Sequence, residues 1–351
     1  MKEIIIKASS RYTVTVGDGA LSLLGETAKK AVKGRTAMVV SETTVFPLHG
    51  KAAVAELEAA GFTVCTHIFP AGEQSKCGAA FLNLLNDLAE HRLTRSDLVV
   101  ALGGGVTGDL AGFAAACYLR GLAYIQVPTT LLAMVDSSVG GKTAIDLPAG
   151  KNLCGAFHQP AAVLCDTALL KTLPKEIFRD GCAEVIKYGV LAGRELFDRL
   201  EPGCIDTEVV AACIDEKRKY VEADEFDGGT RQFLNLGHTL GHAVEKESNF
   251  TLSHGQAVAI GMAMIVRAGA KFSRTNRLHA REIVNKLAAF GLPTETNLDP
   301  AALYEAALGD KKRRGDTVTL VVPRNLGQCV LWDIPVSELP AWIRAGVTPW
   351  T

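Results

Sequence analysis

Three histidines close together in the chain are the first residues whose types and spacing could do chemistry. His238 and His242 stand four apart in a helix-like pattern, so they share a face, and His254 opens the next such pattern. That is metal-ligand spacing. No glutamate follows the first histidine, however, so the zinc-protease motif H-E-x-x-H is absent. A helical histidine is equally a satisfied core group. Glu184 and Lys187 stand three apart in the otherwise apolar run Cys182-Ala183-Glu184-Val185-Ile186-Lys187-Tyr188. They read either as an intrahelical ion pair or as a carboxylate ligand beside an anion-handling lysine. Two histidines and a glutamate with an open fourth position would suit a zinc-type Lewis acid.

A second group suits anions. Gly103, Gly105 and Gly108 form G-x-G-x-x-G between an apolar strand pattern and a helical one. Glycines there leave room for a pyrophosphate, and a helix N-terminus offers it free N–H groups. The usual acidic residue about 20 positions later is missing, and the turn follows a late strand instead of the first. Glu42, after the strand pattern Ala37–Ser41, is the better candidate for a ribose contact. The other reading is a glycine-rich packing turn. Asp136-Ser137-Ser138-Val139-Gly140-Gly141-Lys142-Thr143 and Gly150-Lys151-Asn152 set lysines among glycines, although Asp136 stands where a Walker A motif needs its first glycine. Further cations are Arg120, Lys217, Arg231 and the run Asp310-Lys311-Lys312-Arg313-Arg314, which by itself reads as a solvated loop.

The elements that must position these residues are of two kinds. Short β-branched runs at Glu3–Lys7, Tyr12–Val16, Ala37–Ser41, Phe62–Ile68, Asp97–Leu102, Tyr124–Val127 and Ala162–Cys165 predict strands. Helical patterns such as Ala20–Val32, Lys51–Ala60 and Ala79–Glu90 lie between them. The alternation predicts a mostly parallel sheet with helices on both faces. Beyond it, helices are expected over Pro174–Leu191, Thr207–Ala223, Leu234–Glu247, His254–Phe272, Ala280–Ala289 and Pro300–Ala307. One hairpin interrupts them, Thr317–Val322 against Gln328–Trp332. The expected fold is an α/β N-terminal domain over residues 1–170, with a Rossmann-like site, and a mainly α-helical C-terminal domain over residues 171–351.

Composition agrees. The 351 residues suggest two domains at about 150 each. With 37 basic and 38 acidic residues the net charge is −1, which disfavours a nucleic-acid partner. Nine cysteines, with no C-x-x-C pair, argue against a disulfide framework and fit a reducing cytoplasm. Charge breaks the apolar run at Met1–Lys7, so no signal peptide is expected there. The longest apolar stretch, Ala257–Val266, is far shorter than the roughly 20 residues that span a bilayer, so no membrane role is expected.

In order along the chain, one set of segments closely resembles the 3-dehydroquinate synthase family. They are Gly72-Glu73-Gln74-Ser75-Lys76, Gly103–Asp109, Leu119-Arg120-Gly121, Gln126–Ala133, Asp136–Thr143 and Gly150-Lys151-Asn152, then Ala183–Gly189, Asn235–His242, Ser253-His254-Gly255 and Asp310-Lys311-Lys312. The resemblance implies a cytosolic homodimer of the shikimate pathway that uses catalytic NAD and one divalent metal, zinc or cobalt. It would convert 3-deoxy-D-arabino-heptulosonate 7-phosphate into 3-dehydroquinate and phosphate. The implied steps are transient oxidation at C5, β-elimination of phosphate, re-reduction, ring opening and intramolecular aldol closure.

By the same resemblance the metal ligands are Glu184, His238 and His254, while His242 turns to the substrate phosphate. NAD contacts would fall on Glu42, on Ala71, Gly72, Glu73, Gln74, Ser75 and Lys76, and on Gly105, Val106, Thr107, Gly108 and Asp109. Thr129, Thr130, Lys142, Lys151, Leu169, Leu170, Lys171 and Thr172 would complete them. Asp136, Lys142, Lys187, Arg231, Asn235 and His242 would serve catalysis, with Asn152, Lys217 and Lys311 binding substrate. Arg120 would reach the phosphate from the neighbouring subunit. Asp227 stands where the family often has glutamate, which shortens that side chain's reach. Two other enzymes fit less well: a paralogous sugar-phosphate cyclase of secondary metabolism, and a metal-dependent polyol dehydrogenase. A non-catalytic NAD-binding protein would not need the full set of cations.

Overall fold

A computed structural model describes residues 1–308, 313–314 and 316–350. The chain divides into two compact units, Met1–Pro174 and Lys175–Thr351. The first holds strands β1 (Lys2–Lys7), β2 (Arg11–Gly17), β3 (Thr36–Glu42), β4 (Thr63–Phe69), β5 (Leu98–Gly103), β6 (Ala123–Pro128), β7 (Lys142–Leu147), β8 (Gly150–Phe157) and β9 (Ala162–Asp166). Its helices are α1 (Leu24–Ala31), α2 (Lys51–Ala59), α3 (Gly78–Glu90) and α4 (Gly105–Cys117). Seven strands form one sheet in the order β1-β2-β9-β6-β5-β3-β4. Only β1 runs antiparallel to its neighbour. β5, Leu-Val-Val-Ala-Leu-Gly, is buried along its whole length, as a strand covered on both faces must be.

Strand order places the ligand crevice. The chain moves outward from β3 to β4, then crosses back to lay β5 on the other side of β3. Ligands in such sheets bind at the carboxyl ends of the strands flanking that reversal. Those ends are Glu42 and Gly103. One sequence expectation needs correcting here. The Gly- and Lys-rich stretch after Asp136, which carries no strand pattern, holds the two-stranded hairpin β7–β8.

The second unit is mainly helical: α5 (Lys175–Ala192), α6 (Arg194–Arg199), α7 (Thr207–Ala223), α8 (His238–Glu247), α9 (His254–Lys271), α10 (Arg277–Ala289), α11 (Pro300–Leu308) and α12 (Leu339–Val347). β10 (Arg313–Arg314), β11 (Thr317–Asn325) and β12 (Gln328–Pro335) make a small antiparallel sheet. α9 is the hub. Gly255 to Ala270 are nearly all buried, and α5, α8, α10 and α12 pack on it. The helix expected over Leu234–Glu247 is broken. Thr230–Asn235 is a 3-10 turn, and α8 begins only at His238, because Gly237 takes a left-handed φ of +80°. No described helix is long and apolar enough to cross a membrane.

Candidate functional site

In the helical unit, Glu184 projects from α5, His238 is the first residue of α8 and His254 the first of α9. His238 Nε2 lies 3.4 Å from Glu184 Oε1, and His254 Nε2 lies 3.2 Å from the same oxygen. One ligand atom from each residue lies within 4.8 Å of the other two. Tetrahedral ligands about 2.0–2.1 Å from a zinc-type ion stand about 3.4 Å apart, so the spacing fits one ion. His238 Nδ1 donates to the Leu236 carbonyl at 3.1 Å. That bond orients the ring and leaves Nε2 with its lone pair toward the cluster.

Backbone contact brings the two histidines together. A Cβ at Gly261 of α9 would stand 2.0 Å from the Gly237 carbonyl oxygen, so α8 and α9 cross with their main chains touching. α9 is anchored to α5 by Asp180, one turn before Glu184. Asp180 Oδ1 accepts from the Ser253 hydroxyl and, at 3.1 Å, from the Gln256 amide.

The electrostatics follow from burial. Glu184 and Lys187 are 0% and 1% exposed, and the ammonium contacts Glu184 Oε2. Burial pushes the Glu184 carboxyl upward, but Lys187 and the two imidazoles outweigh it and hold it well below the usual range. Burial also drives His238 down to about 4 despite Glu184, so its ring is neutral and ready to ligate. Burial pulls His254 the same way, yet hydrogen bonds to Glu184 and Glu245 raise it to about 10. A metal would displace that proton. Spacing missed Glu245. It is buried, with Oε2 3.7 Å from His254 Nδ1, and its one signal was a carboxylate seven residues after His238 on the same helix.

The other residues expected to bind substrate in this unit take several positions. Lys217, on α7, and Arg231, in the turn after it, are both buried. Asp224 shapes that turn: its carboxylate accepts from the amides of Gly228, Gly229 and Arg231 at 2.7–3.0 Å. Asn235 closes the same turn, half-buried. The His242 ring stands 5.5 Å from that of His238 and 6.2 Å from that of His254, beside the ligand trio but outside it. Asp227 has a left-handed φ of +61°. Lys311 lies outside the described residues.

In the α/β unit a second cluster assembles. Lys76, 5% exposed, reaches Asp109 Oδ2 at 2.6 Å and Asn152 Oδ1 at 2.5 Å. Burial lowers the Lys76 ammonium, but Asp109 and Glu73 outweigh it and raise it; burial raises the Asp109 carboxyl. α4 begins at Gly105 with no side chain capping its N-terminus. Beside it, the Thr129 amide donates to the Gly103 carbonyl at 2.9 Å. The Thr129 hydroxyl is buried and, among the described residues, has no hydrogen-bond partner. Thr130 Oγ1 accepts from the Ala133 amide.

Other expected cofactor residues have local partners. Glu42 accepts from the amides of Thr44 and Val45 at 2.6 and 2.9 Å, which fixes the loop after β3. In the loop Ala71 to Ser75, the Gln74 amide group donates to the Ala71 carbonyl and the Ser75 hydroxyl to that of Pro70. Leu169 is buried, Lys171 pairs with Asp18 at the surface, and Thr172 Oγ1 lies 2.9 Å from His49 Nε2. Asp136 and Lys151 are half-buried and Lys142 is exposed at the start of β7. Arg120 is exposed on the turn between α4 and β6.

Comparison with known proteins places these sites in context. The family described as "3-dehydroquinate synthase N-terminal" matches residues 66–180, and "3-dehydroquinate synthase C-terminal" matches residues 181–313. A 3-dehydroquinate synthase of Clostridium acetobutylicum is 40% identical over 342 residues, covering 95% of this chain and 96% of the relative. One from Picosynechococcus is 43% identical over 346 residues, covering 93% and 94%. Among solved structures, a 2-deoxy-scyllo-inosose synthase complexed with carbaglucose-6-phosphate, NAD+ and Co2+ has a TM-score of 0.87 at 24% identity, covering 98% of this chain and 99% of that one. The 2-epi-5-epi-valiolone synthase ValA from Streptomyces hygroscopicus, with NAD+ and Zn2+ bound, has a TM-score of 0.85 at 25% identity, covering 99% of each.

Proposed function

The chain belongs to the 3-dehydroquinate synthase family, and from that premise we propose that it converts 3-deoxy-D-arabino-heptulosonate 7-phosphate into 3-dehydroquinate and phosphate. The observation that carries the reading is the Glu184, His238 and His254 trio, with Lys187 on the same buried carboxylate. The residues fit both groups the reaction needs. Three donors within 4.8 Å of one another suit a divalent ion such as Zn2+ or Co2+. An uncapped helix N-terminus beside the unpartnered Thr129 hydroxyl suits the pyrophosphate and ribose edge of NAD+. When bound, these groups supply reversible hydride transfer at the substrate C5 and polarisation of its oxygen.

The protein's own side chains then hold a flexible anion in one pose, which removes much of the entropic cost of the later steps. Arg231 presents a rigid fork that matches a carboxylate. Lys142, His242 and Lys217 suit the phosphate and the remaining charge, Lys187 steadies Glu184 and the substrate oxygen, and Asp136, Asn152 and Asn235 line the pose. The cyclases that share the fold are 24–25% identical, against 40–43% for the relatives named 3-dehydroquinate synthase, and that gap favours this reading over a paralogous cyclase.

Two finer points belong to the same proposal. The chain works as a cytoplasmic homodimer, and Arg120 acts across its interface. Free thiols at all nine cysteines support the compartment. Consecutive left-handed residues, Leu119 at φ +50° and Arg120 at +69°, support a role for Arg120, since such strain persists where function holds it. Protein loaded with NAD and zinc should release one phosphate per heptulosonate phosphate consumed, with no net NADH. A folded, loaded sample that releases none overturns the assignment. Arg120→Ala mixed with His238→Ala should regain activity if the site is shared, and inactivity despite proven subunit exchange refutes sharing.

A further inference from the structure

The end of α9 away from His254 opens on a polar cavity of about 490 Å³. Its lining includes three solvent-exposed arginines, Arg274, Arg277 and Arg324, and no acidic residue. Among the described residues none of the three makes an ion pair. Three like charges around one space repel each other, an arrangement that an anion between them relieves. The wall's shape is set before any ligand arrives. The amides of Arg274 and Thr275 donate to the Gly269 carbonyl at 2.7 and 3.1 Å, and the Asn276 amide donates to the Arg324 carbonyl at 2.9 Å. Arg274 lies over the Trp332 ring, 4.1 Å from its centre, which restrains a side chain that would otherwise lose rotamer freedom on binding. Ser273, also in the lining, takes the left-handed φ of +56° usual just past a helix C-terminus.

We propose that this cavity binds a small polyanion carrying two or more phosphoryl or carboxylate groups. An apolar ligand is a poor match, since every lining residue except Ala270 is an arginine, asparagine, serine or threonine. The cavity is also separate from the metal trio. Sixteen residues of helix part Ala270 from His254, about 24 Å at 1.5 Å per residue. β11 and β12, which supply Arg324 and Trp332, pack against the turn that carries Arg231.

The test is direct binding, independent of the reaction assigned above. A three-carbon bisphosphate, 2,3-bisphosphoglycerate, is titrated by calorimetry into the NAD- and zinc-loaded protein at low salt. One saturable site is expected, weakened at least tenfold in Arg277→Ala/Arg324→Ala and weakened again by added salt. Arg231→Ala should bind as the unaltered protein does. Absence of saturable binding overturns the proposal. So does affinity that survives the double substitution, or that disappears in Arg231→Ala alone. Far-UV circular dichroism and the thermal unfolding midpoint of the double variant report its folding. If the double variant fails to fold, Arg277→Gln and Arg324→Gln carry the test singly, each expected to weaken binding several-fold, and unchanged affinity in both refutes the site.

Discussion

Lys187→Met probes the charge balance on which the metal site rests. Lys187 and Glu184 are 1% and 0% exposed, and the ammonium contacts Glu184 Oε2. Methionine keeps an unbranched stem and removes the charge. Breaking a buried ion pair costs about 3–5 kcal/mol, and the His254 imidazolium still beside Glu184 holds the loss toward the lower end. At about 2–4 °C per kcal/mol for a unit of 150–250 residues, the melting temperature of the metal-free protein should fall by roughly 6–20 °C. Loading stabilises both proteins, so the gap closes only as far as the variant binds the ion more tightly; loss of the Lys187 charge beside the ion should raise its affinity about 100-fold, worth about 2.7 kcal/mol. Urea and thermal unfolding of both proteins, stripped and zinc-loaded, give the comparison. The variant should be strongly destabilised when stripped and recover most of the difference when loaded. A stripped variant within about 1 kcal/mol of the original, or one equally weakened in both states, would refute the claim that Lys187 neutralises Glu184.

Three further outcomes follow from the same geometry. Gly261→Ala puts a methyl 2.0 Å from the Gly237 carbonyl, so α8 and α9 must part; stability should fall by about 1–3 kcal/mol and zinc affinity, by equilibrium dialysis, at least tenfold. In the stripped protein the two histidines titrate in opposite senses about their ordinary value of 6.5. The stabilisation due to His254 is complete below 6.5 and lost as pH rises through about 10; that due to His238 is complete above 6.5 and lost as pH falls through about 4. Urea midpoints against pH should therefore lose their alkaline decline in His254→Ala and part of their acid decline in His238→Ala, and unchanged profiles would count against both assignments. Thr129→Val removes a buried hydroxyl without a partner among the described residues, so stability should stay equal or rise by about 1 kcal/mol while NAD+ affinity drops several-fold. Unchanged NAD+ binding by fluorescence titration would remove Thr129 from the cofactor site.

What could be read from the sequence depended on how local the determinant was. The buried strand β5 and its glycine turn are contiguous, and apolar run, glycines and helix start all agree. The hairpin β7–β8 was missed because glycines, lysines and an asparagine hide its alternation, and several of its side chains stay exposed. α6 and α12 also lay outside the helical patterns. The break before α8 turned on the single φ of Gly237. The trio was out of reach of spacing. His238 and His242 share a face, which pointed to that pair as ligands, whereas Glu184 meets His254 across 70 residues. Only the ordered resemblance brought those two together in advance. Glu245 and Asp180, which hold His254 in place, went unnoticed because a lone carboxylate on a helix looks like surface.

The net charge of −1 conceals an uneven distribution. Lys187, Lys217 and Arg231 are each 5% exposed or less, and Glu184, Glu216 and Glu245 are buried in the same unit. Stability alone does not account for this. Removing two charges from water costs several kcal/mol per ion, and well-packed apolar residues of similar volume commonly do as well or better. Some of these charges pair within their own helix, as Glu184 does with Lys187 and Glu216 with Lys219. A site that must hold a cation, a phosphate and a carboxylate in fixed positions needs such groups desolvated, because water would weaken each contact and let the substrate reorient. The helical unit meets the cost through close backbone packing. α8 and α9 touch at Gly237 and Gly261, and α9 docks on Asp180, so the charged side chains extend from rigid main chain. Under the proposed function, the same residues that burden folding are thus the ones that leave little to reorganise when substrate binds.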